Sequence, residues 1–160
     1  DHDIAETERF QETIEKAAQI SEKEACLVTI GIKPSFPHTG YGYIETKKDG
    51  QVRSFREKPD LATAQKYVAS GNYYWNSGIF VWQARVIMAL IQKHLPEHYK
   101  ILQKIDRLNK KSPRYAEDFK KLFQSFESVS IDYGIMEKAA AQTGKLLFRR
   151  SLVACMGLNI

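Results

Sequence analysis

The chain has 160 residues, of which 43% are hydrophobic and 27% charged, an ordinary globular balance with enough length to bury one core. Its formal charge of +5 comes from lysines and arginines spread over helical segments instead of one block. That reads as a solvated basic surface and argues against a nucleic-acid partner. No apolar run approaches the length of a membrane span and no signal peptide is visible, so the expectation is a cytoplasmic protein with no membrane partner. The chain does not open with Met, and a fragment of a longer protein is expected. Cys26 and Cys155 stand far apart without metal-ligand spacing and read as free thiols of a reducing compartment.

In chain order, a helix is expected from about Ala5 to Glu24, with Asp3 and Glu6 as a capping box and Phe10, Ile14, Ala17 and Ala18 on one apolar face. Cys26–Ile32 is a short β-branched run, hence a buried strand, and helix before strand suggests a parallel unit of an α/β sheet. The prolines of residues 33–40 exclude regular structure there. Tyr41–Glu45 and Gln51–Phe55 read as a hairpin turning at Asp49-Gly50. A helix Leu61–Ser70 follows, capped by Asp60 and stopped by Gly71, then a strand over 73–82. Helices are expected from Ala84 to Pro96, over 97–111 and 114–126, and from Ser130 to Gly144, with a last strand at Lys145–Phe148.

The chemistry concentrates between Phe55 and Trp82. Asn76-Ser77-Gly78 interrupts an otherwise apolar, aromatic strand, and a glycine inside a strand weakens it unless something approaches the backbone there. Glu57 and Lys58 are neighbours on an extended segment and should point to opposite sides unless the strand bulges. If both serve one ligand, the carboxylate accepts hydrogen bonds from hydroxyls while the ammonium pairs with a phosphate. That division suits a sugar phosphate. Asn76 offers donors and an acceptor to a hydroxyl, Gly42 lets a ligand close on the first hairpin strand, and Asp1 and Asp3 could bind a hard cation through oxygen. Each feature alone is also what a solvated edge or an apolar core would show. His38, His94 and His98 read as solvated surface residues, and Tyr73, Tyr74 and Trp82 as core or pocket wall.

The order of the segments says more. Thr39-Gly40-Tyr41-Gly42-Tyr43-Ile44, then Phe55-Arg56-Glu57-Lys58-Pro59, then Trp75-Asn76-Ser77-Gly78-Ile79-Phe80, then Ser130-Ile131-Asp132-Tyr133 with Met136-Glu137-Lys138, resemble the mannose-1-phosphate guanylyltransferase (GDP-mannose pyrophosphorylase) family. Asp1-His2 resembles the end of that family's Pro-Ala-Asp-His segment, and Ile32-Lys33-Pro34 fits before the Thr-Gly-Tyr-Gly loop. The resemblance implies part of an α/β, Rossmann-like (GT-A-like) nucleotidyltransferase domain, a mixed sheet flanked by helices. It implies GTP and mannose 1-phosphate as partners, Mg2+ as cofactor, and leaves a homo-oligomer open. By resemblance, Asp1 holds the metal and, with Lys58, serves catalysis. Gly42 lines the sugar pocket, Glu57 binds mannose hydroxyls, Lys58 takes the sugar phosphate and Asn76 contacts the sugar. Asp132 either sits near the sugar or caps its helix.

The pattern is followed over residues 1–147, read as the central to C-terminal part of the catalytic domain. Residues 148–160 depart from it and are expected to be a divergent or frame-shifted tail. The family's Gly-rich nucleotide loop has no counterpart in these residues, so guanine and triphosphate recognition are expected to lie outside them. The alternatives are a non-catalytic sugar-nucleotide-binding regulator and a nucleotidyltransferase for another hexose 1-phosphate.

Overall fold

The computed structural model describes residues 6–48 and 51–141, and the backbone of 146–148. Among these residues five strands form one mixed sheet: β1 (Leu27–Ile32), β2 (Tyr43–Thr46), β3 (Val52–Arg56), β4 (Tyr73–Val81) and β5 (Leu146–Phe148), in the order β3-β2-β4-β1-β5. The pairs β3/β2, β2/β4 and β4/β1 are antiparallel; β5 runs parallel to β1. The parallel arrangement expected for β1 is therefore found only on its β5 side. All six residues of β1 are buried, as a strand covered on both faces requires.

Among the described residues six α-helices accompany the sheet: α1 (Thr7–Glu24), α2 (Leu61–Ser70), α3 (Ala84–His94), α4 (Pro96–Asp106), α5 (Tyr115–Gln124) and α6 (Glu137–Ala141). Strand alternation sorts side chains onto two faces. On one face Leu27, Ile44, Phe55 and Tyr74 pack with Ile87 and Leu90 of α3 and Ala139 and Ala140 of α6. On the other, Ile30, Ile32, Tyr43 and Trp75 meet Phe10 and Ile14 of α1 and Ala64, Tyr67 and Val68 of α2. This is the expected mixed α/β sheet between helices. Among the described residues, no helix is long and apolar enough to cross a membrane.

Local chemistry explains the well-defined ends. The Asp60 carboxylate accepts from the Thr63 backbone N–H at 2.9 Å and from its hydroxyl at 2.8 Å, and Gly71 closes α2 in the left-handed region at φ 75°. The capping box at α1 does not form: Glu6 occupies the N-cap position itself without a side-chain cap bond, too close to the helix for the N3 role. Asp3 and the Asp49-Gly50 turn lie outside the described residues. Where a plain helix was expected after Ser130, the chain makes a π-helical turn, Asp132–Met136, closed by the Glu137 N–H on the Asp132 carbonyl.

Candidate sugar-phosphate site

The site lies where β2, β3 and β4 meet the loop after β1. There the ladder between β1 and β4 is irregular: Gly31 pairs with Asn76 but Thr29 with Phe80. Two residues of β1 therefore span four of β4, and Ser77-Gly78-Ile79 bulges out. Ser77 compensates by donating its hydroxyl to the Ile30 carbonyl at 2.7 Å and accepting from the Ile79 N–H at 3.2 Å. Gly78 takes φ 72°, a left-handed conformation that favours glycine. The polar break in the strand is a bulge that turns Asn76 toward the pocket.

Glu57 and Lys58 follow directly on β3. Lys58 adopts φ 44°, a left-handed backbone for a residue with a Cβ, and this swings its side chain to the same side as Glu57. Its ammonium lies 3.5 Å from the Glu57 carboxylate. The expected opposition of the two side chains fails for this reason. Glu57 is 12% exposed and Lys58 61%, so the carboxylate forms the floor and the ammonium the exposed rim.

A cavity of about 270 Å³ opens between these groups, lined among others by Gly40, Tyr41, Gly42, Glu57, Lys58 and Asn76. Gly42 is required by close approach: a Cβ there would collide with Oε2 of Glu57. That oxygen is buried and has no hydrogen-bond partner among the described residues. Burial, then the nearby Asp132 carboxylate, push the Glu57 carboxyl above its ordinary range, with Lys58 opposing. A buried acceptor without a partner among the described residues is matched to a hydroxyl donor.

Asn76 is firmly set. Its Nδ2 donates to Oδ1 of Asp132 at 3.1 Å, its Oδ1 accepts from the Gly78 N–H at 3.1 Å, and its backbone N–H donates to the Gly42 carbonyl at 2.7 Å. One amide N–H remains for a ligand. Asp132 does not cap its helix, where Ile131 stands at the N-cap without a side-chain bond; it reaches the site through Asn76. Burial raises its carboxyl too. Glu137 was not singled out from sequence, yet its Oε1 accepts the Glu57 N–H at 3.4 Å across 80 residues. No local signal marks such a contact.

Asp1 lies outside the described residues, as does Cys155. Cys26 is a free buried thiol, pushed up to about 11 by desolvation. His38, His94 and His98 are all half-buried at the surface, and the rings of His38 and His98 are hydrogen-bonded. No group of three or more His, Cys, Asp or Glu among the described residues could hold a metal ion.

A mixed sheet with a hydroxyl acceptor, a cation and a fixed amide at one mouth suits a protein that handles a phosphorylated polyol. The Nucleotidyl transferase family model matches residues 1–123, and the chain belongs to that family. It is 43% identical over 143 residues to the xanthan biosynthesis protein XanB of Xanthomonas campestris pv. campestris (strain B100), covering 88% of this chain and 30% of that protein. It is 37% identical over 145 residues to the mannose-1-phosphate guanylyltransferase of Sinorhizobium fredii (strain NBRC 101917 / NGR234), covering 88% and 28%. The chain thus spans less than a third of these relatives' length. The crystal structure of mannose-1-phosphate geranyltransferase from Thermus thermophilus superposes with a TM-score of 0.79 at 27% identity, over 98% of this chain and 43% of that one. That of mannose-6-phosphate isomerase from Helicobacter pylori gives 0.76 at 32% identity, over 92% and 58%.

Proposed function

We propose that this chain carries the sugar-phosphate half of a mannose-1-phosphate guanylyltransferase. The observation that carries the reading is the convergence of Gly42, Glu57, Lys58 and Asn76 on one cavity of about 270 Å³. Glu57 and the free amide N–H of Asn76 bind sugar hydroxyls, and the exposed Lys58 ammonium pairs with the phosphate. The relatives' names supply the hexose and the nucleotide. In the reaction, an oxygen of mannose 1-phosphate attacks the α-phosphorus of GTP, a new P–O bond forms, and the α–β P–O bond breaks to release pyrophosphate. The described residues contribute orientation: they hold the attacking phosphate beside a cation and fix the ring that carries it.

Magnesium, which would neutralise phosphate charge, rests on Asp1 alone in this reading. The described pocket does not supply a metal cluster, and no step here depends on one. GTP and mannose 1-phosphate are the expected partners and the cytoplasm the expected compartment.

Isothermal titration with mannose 1-phosphate, mannose and glucose 1-phosphate tests the reading. Tightest binding is expected for mannose 1-phosphate, with the preference over free mannose abolished in Lys58→Ala. Equal affinity for mannose and its phosphate in the parent chain would refute the phosphate role of Lys58. A preference for glucose 1-phosphate would move the chain to the other-hexose alternative.

A further inference from the structure

The loop between β1 and β2 supplies three pocket residues, Gly40, Tyr41 and Gly42, yet contains no regular structure. Four rings give it a shape. Phe36 meets Trp75 edge-on at 5.2 Å and His38 at 5.6 Å; His38 stacks on Tyr41 at 4.2 Å and 23°; Tyr41 tilts onto Trp75 at 5.1 Å. Each ring touches two others, so the set closes on itself. Trp75 is 3% exposed and precedes Asn76 on β4, which ties the loop to the strand that holds the amide.

His38 is anchored from both ends. Its backbone N–H donates to Oη of Tyr43 at 3.0 Å, and the Tyr43 hydroxyl donates to the His38 carbonyl at 3.0 Å. Its ring nitrogen Nδ1 accepts the Gly40 N–H at 2.9 Å. An Nδ1 that accepts leaves the ring proton on Nε2. The ring also lies so close over Gly40 that a Cβ there would come within 2.7 Å of Cε1 and 3.1 Å of Nδ1. Gly40 is required by His38, since its own φ is not in the left-handed region.

Resting on the sugar-phosphate reading, we infer that His38 is the positioning residue of this pocket wall. Its ring does two separate tasks: Nδ1 fixes the Gly40 N–H, and its face holds Tyr41 against the cavity. It touches no substrate itself. Ordering the wall beforehand removes an entropy cost that binding would otherwise bear.

A double-mutant cycle between Gly40→Ala and His38→Ala tests this. In the presence of His38, Gly40→Ala should weaken mannose 1-phosphate binding by roughly tenfold, and in the His38→Ala background it should add less than about threefold. His38→Ala alone should also weaken binding, and His38→Asn, whose short side chain can accept the N–H two residues on, should recover part of the loss. Equal costs of Gly40→Ala in both backgrounds, or parental affinity in His38→Ala, would overturn the proposal. Failure of the function reading has a different signature. If the parent chain binds no mannose 1-phosphate, the same cycle is read from Trp75 emission in a Trp82→Phe background. There Gly40→Ala should shift the emission only when His38 is present, and an emission unmoved by either change would sink the ring cluster itself.

Discussion

The candidate pocket and the α4–α5 segment are built on opposite terms. At the pocket, cost accumulates: a left-handed Lys58, a bulge over Ser77–Ile79, a buried Glu57 oxygen without a partner among the described residues and two carboxyls raised by desolvation. In α4 and α5 no residue is buried. These helices pack on α3 and on each other through half-buried side chains, with Pro96 at the first turn of α4 and exposed ion pairs Lys100–Glu97 and Lys121–Glu117, each at 2.7 Å, adding a little. Strain and unsatisfied polarity gathered at one mouth are what single it out as the candidate ligand site. The helical pair lacks them, and its basic residues are an ordinary solvated surface.

The largest effect should come from Gly42→Ala, which drives a Cβ into the Glu57 carboxylate. That oxygen ends a flexible side chain beside the cavity, so the carboxylate can swing aside and the cost in thermal unfolding should stay near the low end of overpacking, about 1 kcal/mol. Because Glu57 and Lys58 would shift together, mannose 1-phosphate affinity should fall by about a hundredfold or more. A variant with parental affinity and stability would show the pocket to be loosely packed.

Lys58 comes next. Removing its ammonium in Lys58→Ala should weaken binding by about ten- to a hundredfold, the range of a charge-assisted hydrogen bond. Lys58→Gly should bind as poorly yet be about 1 kcal/mol more stable than Lys58→Ala, because glycine accepts the left-handed backbone freely. Chemical denaturation of the two variants side by side separates site chemistry from backbone strain.

Glu57→Gln exchanges binding for stability. A carboxyl whose folded pKa lies above its unfolded one keeps its proton longer in the native state. Its stabilising share is complete below the ordinary carboxylate range and is lost as pH rises through the raised value. Above the raised value the parent therefore carries a buried charge that Gln lacks. The variant should melt higher there, the gain should vanish at acid pH, and mannose 1-phosphate binding should weaken by about tenfold. A melting advantage independent of pH would point to packing instead of charge.

Legibility from sequence follows the same divide. The cap and stop of α2 are local, set by Asp60 and Gly71 at the ends of one segment, and reading them needs no tertiary knowledge. The residue set Gly42, Glu57, Lys58 and Asn76 was legible because the motif order carried it. Their geometry was not, because it is fixed by long-range partners. Ser77 satisfies Ile30 across 47 residues, and Asp132 holds Asn76 across 56. The π-helical turn that begins at Asp132 has no compositional signature either. His38 shows the limit most plainly: a histidine between Pro37 and Gly40 reads as a solvated loop residue until Tyr41, Phe36 and Trp75 are brought around it.

The smallest effect should come from the α5 face, and it is the control that gives the others meaning. Phe123 is 61% exposed and touches Phe119 and Phe126 in a ladder of rings that covers no core. Phe123→Ser should change unfolding free energy by no more than about 0.5 kcal/mol, because a surface ring with few partners has little contact to lose. Mannose 1-phosphate affinity should stay at the parental value, since no side chain of α5 lines the pocket. If instead Phe123→Ser weakened binding as much as Lys58→Ala, the two regions would be coupled and the division between strained pocket and surface helices would fail. Titration and thermal melts of that one variant decide it.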